Sequence, residues 1–358
     1  MSRLEHLVVS IWGRRLRLGT GVVAITFLVT VPFLLLAGVN PFAAYAQFLF
    51  DPLTSRFGLL EVGVASIPLL FTGAAVALAF RAGYWNIGAE GQLLLGAVAA
   101  AGIGARMEGM AAPMALLLTI GGGALAGAVW ALLPALLRVR FHIDEVVTTL
   151  LLNPVALLLV EGLLNGPWRD PVTRFPESPR IATGAEMPVI VSGSRLHLGF
   201  LLGLVIIVAA GFVLSRTRAG LELRAVGLSP EAARFAGINV ARTLVVAALI
   251  SGAIAGLGGA GEVTGIQYRL TGGLSAGFGY TGIVVATLGG LRMGGVALVA
   301  LLLGDLTVGA SSAGRALGIP SQAGDIVQAA VLLVTVAVVA VNRYGLRRRR
   351  PATVGAEP

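Results

Sequence analysis

A short stretch of the chain alternates glycines with side chains that can form hydrogen bonds. It contains Gly83, Asn86, Gly88, Glu90, Gly91 and Gln92. Glycines interrupt a helix, and interrupted helices inside a membrane place their freed backbone groups only where they line a cavity or are buried in protein. The amide and carboxyl groups could then bond polar groups of a transported solute. They could also bond one another, as a buried polar knot that fixes helix packing, and both interpretations stay open.

Further acidic residues lie inside apolar segments. The set is Glu61, Glu90, Glu161, Glu262 and Asp305. A charge at the centre of a bilayer costs a few kcal/mol or more. Glu61 and Glu161 lie near predicted helix ends, which predicts an interfacial position for both. For the other three we expect paired structural charges, with Arg269 and Arg292 as possible partners, and a proton relay is the alternative.

The polar stretch 215–242 predicts a short helix between two apolar runs. Ser229 suits the N-cap, Pro230 suits the first helical position, and Gly237 can end the helix. Glu231 is favourable beside the positive N-terminal end of the helix dipole. A helix of about two turns follows, and it would lie at the membrane surface and present its side chains to a docking partner. Taken alone, this stretch favours a solvated connecting helix over a docking helix.

The composition of the 358 residues indicates a membrane protein. Hydrophobic residues make up 56% and charged residues only 12%, against roughly 25% charged in an average soluble domain. The 50 glycines agree, because small residues let membrane helices approach closely. The glycines of the run 252–261 predict such packing on one helix.

The basic residues argue against two functions, ATP binding through a phosphate loop and nucleic-acid binding. All 26 are Arg, and a phosphate-binding loop of the G-x-x-x-x-G-K-[ST] type needs a Lys. They do not form a patch with stacking aromatics, so we predict no nucleic acid partner. The three histidines have no motif context and cysteine is absent, so we expect no catalytic site and no metal site in this chain.

We predict an all-α, polytopic membrane protein with about ten helices, some of them broken. A run of about 20 apolar residues crosses a hydrocarbon core of about 30 Å. The runs are 18–40, 59–80, 88–105, 111–137, 143–164, 197–214, 243–263, 275–291, 294–312 and 323–342. Gly, Asn and Glu interrupt the third and the eighth.

The arginines predict the orientation, because short cytoplasmic loops are enriched in basic residues. A transmembrane domain, 18–343, follows a basic N-terminus, 1–17, and precedes a basic tail, 344–358. An even number of crossings places both termini in the cytoplasm, together with 215–242. The segment 165–196 then lies outside, although it carries four arginines. Its prolines indicate an irregular loop, which could cap the pathway, meet a soluble partner or simply connect two helices.

Three motifs resemble those of one transporter family. The run R-A-V-G-L-S-P-E-A-A-R-F-A-G-I-N, which begins at Arg224, is similar to the cytoplasmic loop of permeases from the branched-chain amino acid, ribose and nucleoside branch of ATP-binding-cassette importers. G-Y-W-N-I-G-A-E-G-Q, from Gly83, is similar to the family's G-x-x-N-I-G-x-E-G-Q element. The third match runs from Asp144 to Asn153 and continues from Asn165 to Pro171. Together with the stretch from Gly279 to Ala286, it resembles the nucleoside-type subgroup.

The resemblance implies a transport subunit in the cell membrane of a prokaryote. Its implied partners are an ATPase subunit that holds ATP and Mg²⁺, a second and related permease chain, and an external substrate-binding lipoprotein. The implied coupling helix comprises Ser229, Pro230, Glu231, Ala232, Ala233, Arg234, Phe235 and Gly237. For a nucleoside, whose ribose offers hydroxyls and whose base offers a flat face, the candidate pathway residues are Trp85, Asn86, Glu90, Gln92, Asn153 and Tyr280.

Two alternatives remain beside a nucleoside importer. The chain could carry simple sugars or other small polar solutes, because the nucleoside prediction depends on the resemblance alone. It could also be an ion-coupled secondary transporter, which would account for broken helices and buried carboxylates. A self-sufficient carrier has no need of the surface helix near 229–236.

Overall fold

The computed structural model describes residues 24–36, 38–169 and 174–317, with isolated positions between 326 and 338. These residues are helical almost throughout and contain no extended β-strand, only two isolated β-bridges. The helices are α1 (Ala24–Leu36), α2 (Pro41–Leu49), α3 (Asp51–Thr54), α4 (Arg56–Arg81), α5 (Ala89–Gly104), α6 (Ala112–Phe141), α7 (Glu145–Asn165), α8 (Gly199–Arg216), α9 (Arg218–Leu228), α10 (Pro230–Phe235), α11 (Val240–Glu262), α12 (Phe278–Leu288) and α13 (Met293–Leu317). The all-helical prediction is confirmed for this part of the chain.

Six of the described helices are long and apolar enough to cross a membrane. They are α4, α6, α7, α8, α11 with the turn that continues it to Gln267, and α13. A seventh crossing follows if the bent pair α1 and α2 is one span. The predicted number of about ten is therefore not confirmed. The predicted terminal segments 1–17 and 344–358, and most of the run 323–342, lie outside the described residues.

The third and eighth predicted runs become short helices with irregular flanks. α5 has 16 residues and α12 has 11, below the length of about 20 that a full crossing needs. The irregular segment 82–88 precedes α5, and 268–277 precedes α12. The glycines and polar residues that interrupt these runs in the sequence lie in these segments and at the first turns of the two helices.

The chain separates into two compact units. Residues 52–308 form the larger one. The described residues of 24–51 and 309–338 belong to the other, where Leu34, Ala44, Phe48 and Ala313 form a small apolar core.

Within the larger unit, α4 is almost completely buried among its neighbours. α5, α6 and α11 pack closely against one another through glycines. A Cβ atom on Gly256 would overlap the carbonyl oxygen of Gly123, and one on Gly259 would overlap that of Leu93. Backbone therefore lies against backbone, as the glycine run predicted. Gly261 is the exception, since a Cβ there would meet nothing within 4 Å.

The loop 165–196 packs against the end of α11. α11 continues into a π-helical turn, Val263–Gln267, and backbone hydrogen bonds join the loop to the residues that follow. Ser178 donates to Leu270, and Ile181 donates to Tyr268, both at 2.9 Å. Arg180 lies over the ring of Tyr268. The described residues of this loop are therefore a docked surface layer of the fold.

Candidate functional site

The irregular segment between α4 and α5 begins where α4 ends at Arg81. Gly83 adopts φ +74°, a left-handed conformation that favours glycine. A Cβ atom there would lie 3.1 Å from the Cα of Gly227 in α9. The turn thus needs glycine for its backbone and for its close approach to the 215–242 segment. From here the chain runs to Gly88, directly before α5.

Asn86 is completely buried, and both ends of its amide are bonded. Its Nδ2 donates to Oε1 of Gln92 and to Oγ of Ser251, each at 2.9 Å. Its Oδ1 accepts from the backbone N of Gly88 at 2.9 Å and from Nε2 of Gln92 at 3.1 Å. Ser251 in turn donates to the carbonyl of Ala75 in α4. This network ties the irregular segment to α5, α11 and α4.

Asn153 of α7 holds the same segment from the other side. Its Oδ1 accepts from the backbone N of Gly91, and its Nδ2 donates to the carbonyl of Ile87, both at 2.9 Å. Thr149, one turn earlier, accepts from the backbone N of Ile87 at 3.2 Å. These bonds satisfy backbone groups that the break leaves without helical partners.

Glu90 joins the first turns of α5 and α12. Its Oε2 accepts from the backbone N of Gly279 at 2.6 Å, and the Ser275 side chain bonds the same carboxyl group. A Cβ on Gly279 would overlap the backbone of Glu90. A negative side chain is favourable where two helix N-termini meet, because their unpaired N–H groups carry partial positive charge. Glu90 therefore has a backbone N–H and a serine side chain as partners in place of the cation that the sequence suggested.

The two aromatic candidates are more accessible than the amides. Trp85 is 51% exposed and packs on Phe80, with 4.6 Å between ring centroids. Tyr280 is 42% exposed, one residue after the Gly279 contact. The structure thus groups the six predicted pathway residues around the α5 and α12 N-termini. Asn86, Gln92 and Asn153 are bonded to protein groups there, whereas the two rings present free surface. A contact with solute stays a prediction for all six.

The predicted surface helix is present as α10, residues Pro230–Phe235. The Ser229 side chain caps it by accepting from the backbone N of Ala232 at 3.2 Å. Gly237 has φ +81° just past the helix end, as the sequence predicted. Ala233 is buried against Val226 and Val240, while Phe235 is 97% exposed. The ring of Phe235 thus projects into the surroundings from a short helix whose buried side packs against α9 and α11.

The predicted partners of the buried acids need correction. Arg269 pairs with Glu177 of the loop 165–196 and not with an acid inside a membrane helix, and Arg292 is exposed. Glu61 lies near the start of α4, where it is buried and pairs with Arg195 of the loop 165–196. Its interfacial position in the membrane stays a prediction. The hydrogen bond to Glu61 raises the pKa of Arg195; burial opposes this shift, and the charges of Glu61 and Glu262 add to it.

Three further acids differ in their surroundings. Glu161 is exposed on α7, in agreement with a position near a helix end. Asp305 is buried in α13, and its Oδ1 has no hydrogen-bond partner among the residues that the structure describes. Glu262, at the end of α11, interacts electrostatically with Arg195.

His197 was missed by the sequence-based argument because it has no motif context. It is completely buried under the loop 165–196, with Nδ1 3.3 Å from the sulfur of Met187. A Cβ on Gly265, in the π-helical turn, would overlap its ring. Burial lowers the pKa of His197 to about 4, so the ring is neutral at neutral pH and acts as a packing residue.

Comparison with known proteins decides the family. Residues 58–336 match the family described as branched-chain amino acid transport system / permease component. The chain belongs to this permease family. It is therefore a multi-pass membrane protein and a subunit of a transport system, as the resemblance of its motifs indicated.

Curated relatives of the permease carry different solutes by name. A glucose ABC transporter permease from Haloferax volcanii is 38% identical over 86% of the chain and 83% of the relative. A guanosine ABC transporter permease from Bacillus subtilis is 35% identical over 93% of the chain and 94% of the relative. A nucleoside ABC transporter permease from Lactococcus lactis is 28% identical over 86% of each. No solved structure matches the chain.

Proposed function

We propose that this permease forms the translocation pathway of an ATP-driven nucleoside importer, working by alternating access while a separate ATPase subunit supplies the energy. The guanosine permease matches the chain almost end to end, with 93% and 94% coverage, and another two relatives are also named for nucleosides. The second permease chain would be a related but different one. An external substrate-binding lipoprotein would deliver the solute.

The single observation that carries the coupling proposal is the geometry of α10. This helix stands between two membrane-crossing helices, α8 and α11, and it exposes Phe235 almost completely. Arg234 and Glu231 accompany the ring on an otherwise small-residue helix. Exposed aromatic residues with a charged rim are typical of docking sites. ATP and Mg²⁺ would bind in the partner, because this chain has no Lys for a phosphate loop.

Phe235→Ala tests this docking site in the reconstituted importer. Truncation of an aromatic anchor costs about 2 kcal/mol or more, which is about a 30-fold loss of affinity for the ATPase. Solute uptake per ATP hydrolysed should fall sharply while the chain keeps its melting temperature. Phe212→Ala is the matched control, since Phe212 is an exposed ring on α8 away from α10. Normal coupling in Phe235→Ala, Glu231→Ala and Arg234→Ala would exclude α10 as the docking site.

We propose ten crossings with both termini in the cytoplasm: the six long helices, the predicted runs 18–40 and 323–342, and two crossings that contain the short helices. α5 and the segment 82–88 would make one crossing together, and α12 and the segment 268–277 another. The charges support this orientation. At the end that we place outside, three arginines are ion-paired, in the pairs Arg180–Glu186, Arg195–Glu61 and Arg269–Glu177. At the opposite end Arg140, Arg216, Arg234 and Arg242 are exposed, as the enrichment of basic residues in cytoplasmic loops leads one to expect.

For the pathway we propose a division of roles. Asn86, Gln92 and Asn153 would serve it by fixing the wall at the α4–α5 break, because their amides already bond protein groups. Glu90 would hold α12 against α5. Trp85 and Tyr280, with exposed rings, would offer flat surfaces on which a nucleobase can stack.

A sugar is the second candidate solute, favoured by the glucose permease of Haloferax volcanii. Uptake of labelled guanosine by the reconstituted importer separates the two. With nucleoside as the solute, unlabelled inosine or adenosine competes and glucose does not. Competition by glucose alone, with no guanosine uptake, would favour the sugar.

A further inference from the structure

A groove runs between α8 and α11 within the larger unit. Its volume is about 670 Å³, and Leu78 of α4 forms part of its floor. α8 contributes Ile206, Ala209 and Val213 to one wall. α11 contributes the other wall from Arg242 to Leu257, about 23 Å at 1.5 Å per residue. This exceeds one leaflet of a hydrocarbon core about 30 Å thick.

The polarity of the groove changes along its length. Beyond its mouth it is lined by aliphatic side chains, and the hydroxyl of the one polar residue there, Thr243, donates to the Asn239 carbonyl at 2.9 Å. Charged side chains stand only at the mouth, where α8 ends and α11 begins. They are Arg218, Glu222 and Arg242.

The mouth has an unbalanced positive charge. Arg218 bonds Glu222 at 3.1 Å in a largely exposed pair, which contributes little by itself. The guanidinium of Arg242 has neither a hydrogen bond nor an ion pair to any residue that the structure describes. Aliphatic walls at membrane depth, with a free guanidinium at the helix ends, match one kind of occupant: an amphiphile with an acyl chain and an anionic head.

We propose that this groove binds an anionic phospholipid, with an acyl chain between α8 and α11 and the phosphate on Arg242 and Arg218. The residues between Ala236 and Asn239 form part of the mouth and connect α10 to α11. The bound lipid therefore contacts the segment that holds the proposed docking helix. This site is independent of the transported solute.

Photo-crosslinking in the assembled importer tests the proposal. The importer is reconstituted in vesicles of phosphatidylcholine and phosphatidylglycerol that contain a trace of either lipid with a diazirine on its acyl chain. Crosslinked peptides are then mapped by mass spectrometry. We expect the phosphatidylglycerol probe to label α8 and α11 peptides more than the phosphatidylcholine probe. An arginine near an anionic headgroup contributes about 1 kcal/mol, so Arg242→Gln should lower the preference about fivefold and Arg218→Gln/Arg242→Gln about 25-fold.

Two matched pairs of variants separate this site from general lipid contact. Ala209→Trp fills the groove and should abolish the labelling, whereas Val208→Trp, on the outer face of α8 and 70% exposed, should not. Arg140→Gln removes an exposed arginine of α6 outside the groove and should leave the preference unchanged. Equal labelling by the two probes, labelling that survives Ala209→Trp, or no labelling because a protein chain covers the groove would each overturn the proposal.

Discussion

Replacing Asn86 by Ala tests whether the polar cluster is a structural support or a solute site. The substitution removes four hydrogen bonds, two on each end of a fully buried amide. Each contributes about 1 kcal/mol net, so we expect a loss of about 4 kcal/mol. At about 2–4 °C per kcal/mol for a large domain, the melting temperature should fall by about 10 °C.

The experiment compares two neighbouring residues by two measurements. Melting temperature is followed in detergent, and the KM for guanosine uptake is followed in proteoliposomes. Asn86→Ala should lower the melting temperature and leave the KM of the folded fraction nearly unchanged. Trp85→Ala should show the opposite, because that ring is half exposed and packs on Phe80. The Asn86→Ala/Gln92→Ala double variant should lose less than the sum, since the two share two bonds. A normal melting temperature with a tenfold higher KM in Asn86→Ala would refute this reasoning.

Three further predictions follow from single contacts. Folded His197 stays neutral down to a pKa of about 4, whereas the unfolded side chain titrates near 6.5. The free energy of unfolding should therefore fall by up to about 3 kcal/mol as the pH is lowered from 6.5 towards 4. His197→Gln should abolish this pH-dependent component in melting curves, whereas His142→Asn should not. Gly259→Ala should destabilise by about 1–3 kcal/mol through overlap with backbone, whereas equal stability of Gly259→Ala and Gly261→Ala would contradict the packing. Arg195→Gln should lower the free energy of unfolding by about 1–2 kcal/mol. This value lies between those of exposed and buried ion pairs, because the Arg195 side chain is 64% exposed. Adding Glu61→Gln should restore part of the loss in the same melting assay.

Local features of the fold could be predicted from the sequence where one short segment contains all the determinants. The cap at Ser229 and the end of α10 just before Gly237 depend on neighbouring residues of one short segment, and both are confirmed. The close packing at the α11 glycines could be predicted for the same reason, because spacing along one helix determines which small residues share a face.

Pairings across the chain could not be predicted. Arg195 reaches Glu61 across 134 positions, and Glu90 meets Gly279 across 189. The sequence indicates that a buried acid needs a partner. It does not indicate that the partner is a backbone N–H at the N-terminus of a second helix. The same limit affected the number of crossings. Hydropathy marks where apolar residues lie, whereas helix length depends on where glycines and amides interrupt the backbone, as they do before α5 and α12.

The most direct test of the proposed function is the energy source of transport. Labelled guanosine uptake is measured in proteoliposomes that hold this permease alone, or together with its second permease chain, its ATPase and its binding protein. We predict uptake only in the complete assembly, only with ATP and Mg²⁺, and with no response to an imposed ion gradient. Gradient-driven uptake by this chain alone would contradict the account and identify a secondary transporter instead.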